Sequence, residues 1–323
     1  MRWSTLGKWI LALGLFATIF LLGDVRQLLH LQVAWIFVFG ILFSTFMFIL
    51  LHALRWKKIV DAISEKQGAG FFPFYKWMIH SYTLSYIMPR DLSLLSVRTY
   101  YLKQYQNLSL SASLFSVTLD RLLDFIIFFA VVVPSCLFIL KVLSPVASLV
   151  LMGISIGALL LILRWKGEYT IRLLLHAHRK ILAMPFMKKR MKVGKNETQM
   201  DYSLGRDTFF TISTWTIGAY LLLVLRFFFT GMALNVNVSL LQSLFILPVI
   251  QISGLINITP GGLGVLELGS WGALHLLGIP KDQILRFVFG QRILLTAVLL
   301  LLILLNHLFF ILKNKWQWMG QRG

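Results

Sequence analysis

The chain has 323 residues, of which 58% are hydrophobic and 13% charged, with a mean hydropathy of +0.79 and a formal net charge of +19. A soluble domain carries roughly 25% charged residues, so this composition excludes a water-soluble module and points to helices that cross a membrane. The basic residues lie at the ends of apolar runs, as on cytoplasmic flanks, which argues against a nucleic-acid partner, and a single cysteine, Cys136, rules out a disulfide framework or a thiolate metal cluster.

Taken in chain order, residues 9–23 follow Arg2 and Lys8 and lack a small-x-small cleavage pattern, so they are expected to form an uncleaved first span. Residues 33–54 form the next apolar run, and Arg55, Lys57, Lys58 and Lys66 read as the cytoplasmic loop after it. Three further stretches, 71–88, 108–140 and 144–163, precede a strongly basic segment, 164–206, that belongs in the cytoplasm. Three complete crossings would strand that segment outside. The conflict disappears if residues 71–103 form a re-entrant hairpin that turns at Met88-Pro89-Arg90-Asp91 and returns to the side it came from. The same parity argument makes 240–258 and 262–278 a second hairpin, turning at Thr259-Pro260-Gly261-Gly262 and entering from the other side, before a last span near 294–312 and a cytoplasmic C-terminus marked by Lys313, Lys315 and Arg322. Non-helical backbone at membrane depth survives only where protein or a wet cavity surrounds it, so two broken hairpins imply a cavity.

Three uncommon residues recur at one offset. Arg55 and Arg226, Pro89 and Pro260, and Arg121 and Arg292 are each 171 residues apart. The expected fold is therefore an all-α integral membrane domain of about six transmembrane helices plus two re-entrant hairpins. It is arranged as an inverted-topology repeat, with 1–140 the first copy and 141–323 the second, the latter including the basic loop 164–206.

Charges inside spans are costly and usually face a bundle interior or cavity. Asp120, Arg121 and Asp124 fall inside 108–140, and the two aspartates share a helix face, so one of them would neutralise Arg121 or an arginine on a neighbouring helix. Glu267 would pair with Arg292 or Arg121 and could exchange protons, as could Asp120. Arg98, Arg121, Arg226 and Arg292 are candidate ligands for a lipid phosphate, through the planar fork of guanidinium donors. Pro260-Gly261-Gly262-Leu263-Gly264 is the most specific string, because glycines at this density permit positive φ and close approach to a ligand. Gln251 and Asn257, on the incoming arm, would add polar lining. The seven histidines show no metal-ligand spacing, and neither a nucleophile elbow nor a GxxxxGK[ST] loop is present, so no catalytic residue, metal or cofactor is expected. Residues 168–184 alternate basic and apolar side chains and suit a helix lying on an anionic leaflet.

The strings Leu54-Arg55-Trp56, Met88-Pro89, Val97-Arg98-Thr99-Tyr100-Tyr101-Leu102, Asp120-Arg121-Leu122-Leu123-Asp124 and Thr259-Pro260-Gly261-Gly262-Leu263-Gly264-Val265-Leu266-Glu267 resemble the ordered signatures of the lysylphosphatidylglycerol synthetase transmembrane-region family of flippase-like membrane domains. That resemblance implies a stand-alone member, ending at Gly323 without the soluble aminoacyl-transfer domain, in the cytoplasmic membrane. It implies movement of an anionic or aminoacylated phospholipid, or of a polyprenyl-phosphate-linked lipid, between leaflets. Two departures are Pro89-Arg90-Asp91-Leu92-Ser93 where a glycine-rich turn is usual, and Asp120 where the family pattern has glutamate. The alternatives are a non-transporting partner of a lipid-modifying enzyme and a small-solute or ion carrier.

Overall fold

A computed structural model describes residues 33–64, 70–85, 88–183, 205–255 and 259–320. The expected first span, 9–23, lies outside them. Among the described residues all regular structure is helical. Nine α-helices run in the order α1 (Trp35–Ile63), α2 (Phe71–Leu84), α3 (Arg90–Tyr105), α4 (Leu110–Ile139), α5 (Pro145–Ala183), α6 (Arg206–Ala233), α7 (Leu240–Leu255), α8 (Val265–Leu276) and α9 (Lys281–Gly320), with a 3₁₀ turn at Pro260–Gly262. Among the described residues, five stretches are long and apolar enough to cross a membrane: α1, α4, α6, Pro145–Gly167 of α5 and Lys281–Phe309 of α9. The protein is therefore an all-α, multi-pass membrane protein.

The short helices form the two hairpins. At 1.5 Å per residue, the 14 residues of α2 and the 12 of α8 span about 21 and 18 Å, short of the roughly 30 Å hydrocarbon core. Pro73 sits in the first turn of α2, where its missing N–H costs nothing. Pro89 caps α3 and Asp91 occupies the first turn, next to the positive end of the helix dipole. In the second hairpin a Cβ on Gly269 would collide with Ser253, so α7 and α8 approach as closely as a bare backbone allows.

The element boundaries repeat at the offset that the arginines and prolines suggest. Helices α1 and α6 start at 35 and 206, α4 and α9 at 110 and 281; α2 and α7 end at 84 and 255, α3 and α8 at 105 and 276. Helices α1 and α6 make the most extensive contact in the fold and run antiparallel. Ala34 N–H donates to the Ala233 carbonyl at 2.9 Å, Gly40 lies against Phe229, and Gly218 lies against Leu51. Each hairpin follows the end of its long helix, so the two hairpins enter from opposite ends of this pair.

Two sequence expectations are corrected. Arg55 is not in a loop after the second span: α1 continues to Ile63, and Arg55 belongs to its buried stripe with His52, Trp56, Ile59 and Ile63. The basic segment is not a loop from residue 164, nor does it begin a separate surface helix at 168. Helix α5 runs unbroken for 39 residues, about 58 Å, so its C-terminal part projects beyond the bilayer core. Residues 184–204 lie outside the described residues.

Candidate functional site

Three helices deliver charge to one buried point, and a fourth adds a hydroxyl. Arg55, on α1, donates from Nε to Asp120 Oδ1 and from Nη1 to Asp124 Oδ1, both at 2.6 Å, and Nη1 also reaches Thr216 Oγ1 on α6 at 2.9 Å. Its Nη2 meets His52 Nδ1 at 3.0 Å and the Asp120 carbonyl at 3.1 Å. Arg98, on α3, donates from Nη1 to Asp120 Oδ2 at 2.5 Å, and its Nη2 contacts Met78 Sδ while the guanidinium stacks over the Trp56 ring. Asp120 therefore holds two arginines, one per oxygen, in a region with 0–1% side-chain exposure. Arg121 reaches Asp124 Oδ2 at 3.2 Å and lies 3.6 Å from Asp120 Oδ2, beyond hydrogen-bond length.

The ligand atoms of His52, Asp120 and Asp124 lie within 4.8 Å of one another, a spacing that could hold a cation. Arg55 contacts all three, so its guanidinium already fills the position.

The second hairpin is fixed by Glu267. One carboxylate oxygen accepts the Gly264 N–H at 2.7 Å, capping α8, and the other pairs with Arg292 Nη1 on α9. Arg292 Nη2 in turn donates to the Gly261 carbonyl at 3.0 Å. Gly261, Gly262 and Gly264 have φ of 61°, 66° and 84°, the left-handed region where a Cβ is strained. The anion met by the N-terminus of α8 is thus this helix's own glutamate.

Both hairpin turns open on a single cavity of about 360 Å³. Ser85 and Asp91 line it from the first hairpin, Gly261 and Gly262 from the second, and α3 packs against the 3₁₀ turn. Arg121, Arg226, Arg292, Asp124, Glu267 and Gln251 also reach the wall, with Arg226 over the ring of Phe48. The Nε and Nη2 atoms of Arg121 and the Thr45 hydroxyl are buried without a hydrogen-bond partner. These two nitrogens form one edge of the guanidinium fork, and Nη2 of that edge is the atom 3.6 Å from Asp120 Oδ2, so the edge faces the buried carboxylate rather than open cavity space.

Of the residues singled out in the sequence, Arg121, Arg226, Arg292, Asp124, Glu267, Gly261 and Gly262 meet at the cavity. Pro260 opens the 3₁₀ turn, Gly264 caps the helix behind it, and Asn257 lies outside the described residues. Arg98 and Asp120 do not line the cavity; they form the dry support behind Arg121. Sequence reasoning missed Arg55, His52 and Thr216 as members of this network. The signal for Arg55 was its match with Arg226 at the repeat offset, which its neighbours Lys57 and Lys58 obscured.

A family model described as Lysylphosphatidylglycerol synthase TM region matches residues 6–303. Comparison with curated proteins finds no match.

Proposed function

Because the chain belongs to the Lysylphosphatidylglycerol synthase TM region family, we propose that it moves a polar lipid between leaflets without chemically altering it. The headgroup enters the cavity while the tails stay in the surrounding hydrocarbon. The observation that carries this reading is the cavity itself: two hairpins from opposite ends of the α1–α6 pair line it together, with Arg121, Arg226 and Arg292 in its wall.

The repeat supports the same reading. Equivalent helices α1 and α6 are antiparallel, and an odd number of crossings, α1, α4 and α5, separates them, which is the relation of inverted copies. Such copies present a site at their interface to alternate sides by rocking. Arg121, Arg226 and Arg292 would take the phosphate, Asp124 and Glu267 would hold those arginines, and Gly261 and Gly262 would let the turn approach the headgroup. Arg98 has no place in that contact, since Asp120 and Met78 occupy it. The basic residues of 164–206 and the C-terminal Lys313 and Lys315 support a cytoplasmic membrane with both termini in the cytoplasm.

The test is reconstitution in liposomes with a fluorescent phospholipid whose outer-leaflet copies are quenched chemically. Wild-type protein should expose inner-leaflet lipid to the quencher, and Arg121→Ala should slow this by about tenfold, the equivalent of ~1.4 kcal/mol. Unchanged movement in both Arg121→Ala and Glu267→Gln would remove the site assignment. Failure to move any lipid tested would favour a non-transporting partner of a lipid-modifying enzyme.

A further inference from the structure

Three neutral polar side chains in the cavity wall have bonding capacity that the protein leaves unused. Gln251 on α7 and Gln291 on α9 line the cavity half-buried, and neither amide makes a hydrogen bond to any described residue. Gln291 stands where the repeat puts Asp120 in the first half (291 − 120 = 171), and Leu295 where it puts Asp124 (295 − 124 = 171). In the first half those two positions hold arginines; in the second, the amide is left to the cavity. His52 is the third group. Its Nδ1 lies 3.0 Å from Arg55 Nη2, and a guanidinium only donates, so Nδ1 accepts and the neutral ring carries its proton on Nε2. That N–H has no acceptor among the described residues, on a side chain that lines the cavity.

Unpaired amides at membrane depth are costly, so water or a ligand must meet them. The two amides offer donors and acceptors, and the imidazole offers a donor. A hydroxyl donates and accepts, and so pairs with all three. An ammonium only donates, and leaves the imidazole N–H and both amide NH₂ groups unpaired. A hydroxyl also replaces a displaced water in kind, which an alkyl group does not. Asp91, in the wall from the first hairpin, accepts from hydroxyl and ammonium alike and does not decide between them. The volume of about 360 Å³ is at the low end of the roughly 300–1,000 Å³ of small-molecule pockets, room for one small head but not for an oligosaccharide chain. On the transport reading above, we infer that the lipid carries a polyhydroxylated headgroup, a glycerol, an inositol or a single sugar beyond the phosphate, whose hydroxyls are read by Gln251, Gln291 and His52.

The experiment is native mass spectrometry of the detergent-purified full chain, offered equimolar phosphatidylglycerol, phosphatidylinositol, phosphatidylethanol and phosphatidylethanolamine of matched acyl chains. The first three share one phosphodiester and one negative charge, so the comparison among them reads hydroxyls and not charge. Phosphatidylglycerol and phosphatidylinositol should be retained over phosphatidylethanol by about tenfold, the order of one or two net hydrogen bonds, with phosphatidylethanolamine no better than phosphatidylethanol. The double variant Gln251→Leu with Gln291→Leu should lose most of that preference while holding phosphatidylethanol as before. It should also unfold no earlier than the wild type, because neither amide has a protein partner to lose. Equal retention of phosphatidylethanol, preferential retention of phosphatidylethanolamine, retention of none of the four, or a preference intact in the double variant would each overturn the inference. A double variant that loses the preference together with its stability would assign the amides to the fold and overturn it too. Deacylated glycerophosphoglycerol and glycerophosphoinositol, added at the same concentration, should leave the lipid bound; if they displace it, the occupant is a soluble polyol phosphate and the lipid assignment falls. Binding is read here and movement in the liposome assay, so failure of the headgroup claim is distinct from failure of the transport claim.

Discussion

Asp120→Asn isolates the element on which the site rests. Asparagine keeps the shape of the side chain but has a single acceptor oxygen, where the aspartate served Arg55 Nε with one oxygen and Arg98 Nη1 with the other. Whichever way the amide turns, its NH₂ group faces a guanidinium donor. Arg55 keeps Asp124, Thr216 and the backbone carbonyl of residue 120, so it stays ion-paired whichever way the amide turns. Arg98 otherwise has only the Met78 sulfur and the face of Trp56, and it is fully buried. Removing one partner of a buried ion pair costs about 3–5 kcal/mol, and most of that loss should reside on Arg98. The assay is denaturation of the micelle-solubilised protein followed by tryptophan fluorescence. Asp120→Asn should lower the unfolding midpoint sharply, and Arg98→Met in the same chain should restore most of it, because the remaining amide oxygen then serves Arg55 alone. If the double variant is no more stable than Asp120→Asn, the division of labour between the two oxygens is wrong.

Two further outcomes follow from the same geometry. Gly262→Ala should destabilise the second hairpin by at least ~1 kcal/mol, since the residue sits at φ 66° and a Cβ there would lie 2.7 Å from Leu266 Cδ1; Leu266→Ala in the same chain should recover only the steric share, measured as thermal stability. In a Cys136→Ser background, single cysteines placed at Asp91 and Val265 should react with a small hydrophilic thiol reagent but not with a polymer-bearing maleimide, because both positions line the cavity rather than a loop. Reaction with both reagents would make the hairpin turns ordinary extramembrane loops.

Periodicity and punctuation made much of this fold legible. Pro89 and the Pro260 to Gly264 string located both hairpin turns, and the need to neutralise charge near a broken helix narrowed the partner of Glu267 to Arg292 or Arg121, of which the fold takes Arg292. Other parts were hidden by composition. Arg55 is followed by Lys57 and Lys58, which resemble the basic flank of a span. Its register tells otherwise: His52, Arg55, Trp56, Ile59 and Ile63 share the buried stripe, whereas Lys57 turns away from it to pair with Asp61 at 2.5 Å. Density of charge likewise made 164–183 look like a loop. The stretch from Glu168 to Ala183 contains neither proline nor glycine, and nothing in it stops a helix that is already under way. What no periodicity could supply was the choice of partners at Asp120, because that depends on α1, α3 and α6 converging on α4.

The contact between Glu267 and Arg292 invites the view that it is a simple ion pair, and a charge exchange separates that view from the one drawn here. In each half a hairpin arm is tied to the following long helix by an arginine and a carboxylate: Arg98 of α3 to Asp120 of α4, and Glu267 of α8 to Arg292 of α9. The polarity is reversed between the halves, so attraction alone would not care which helix carries which charge. The backbone does care. Glu267 also accepts the Gly264 N–H, and Arg292 also donates to the Gly261 carbonyl. In the double variant Glu267→Arg with Arg292→Glu, a donor would face the Gly264 N–H and an acceptor would face the Gly261 carbonyl, and each mismatch in a partly buried site costs about 1–3 kcal/mol. The double variant should therefore be no better than either single one, both in thermal stability and in lipid movement. Recovery to wild-type behaviour would show that the turn does not depend on these two residues for its backbone hydrogen bonds, and that the glycine conformations around the cavity are held by something else.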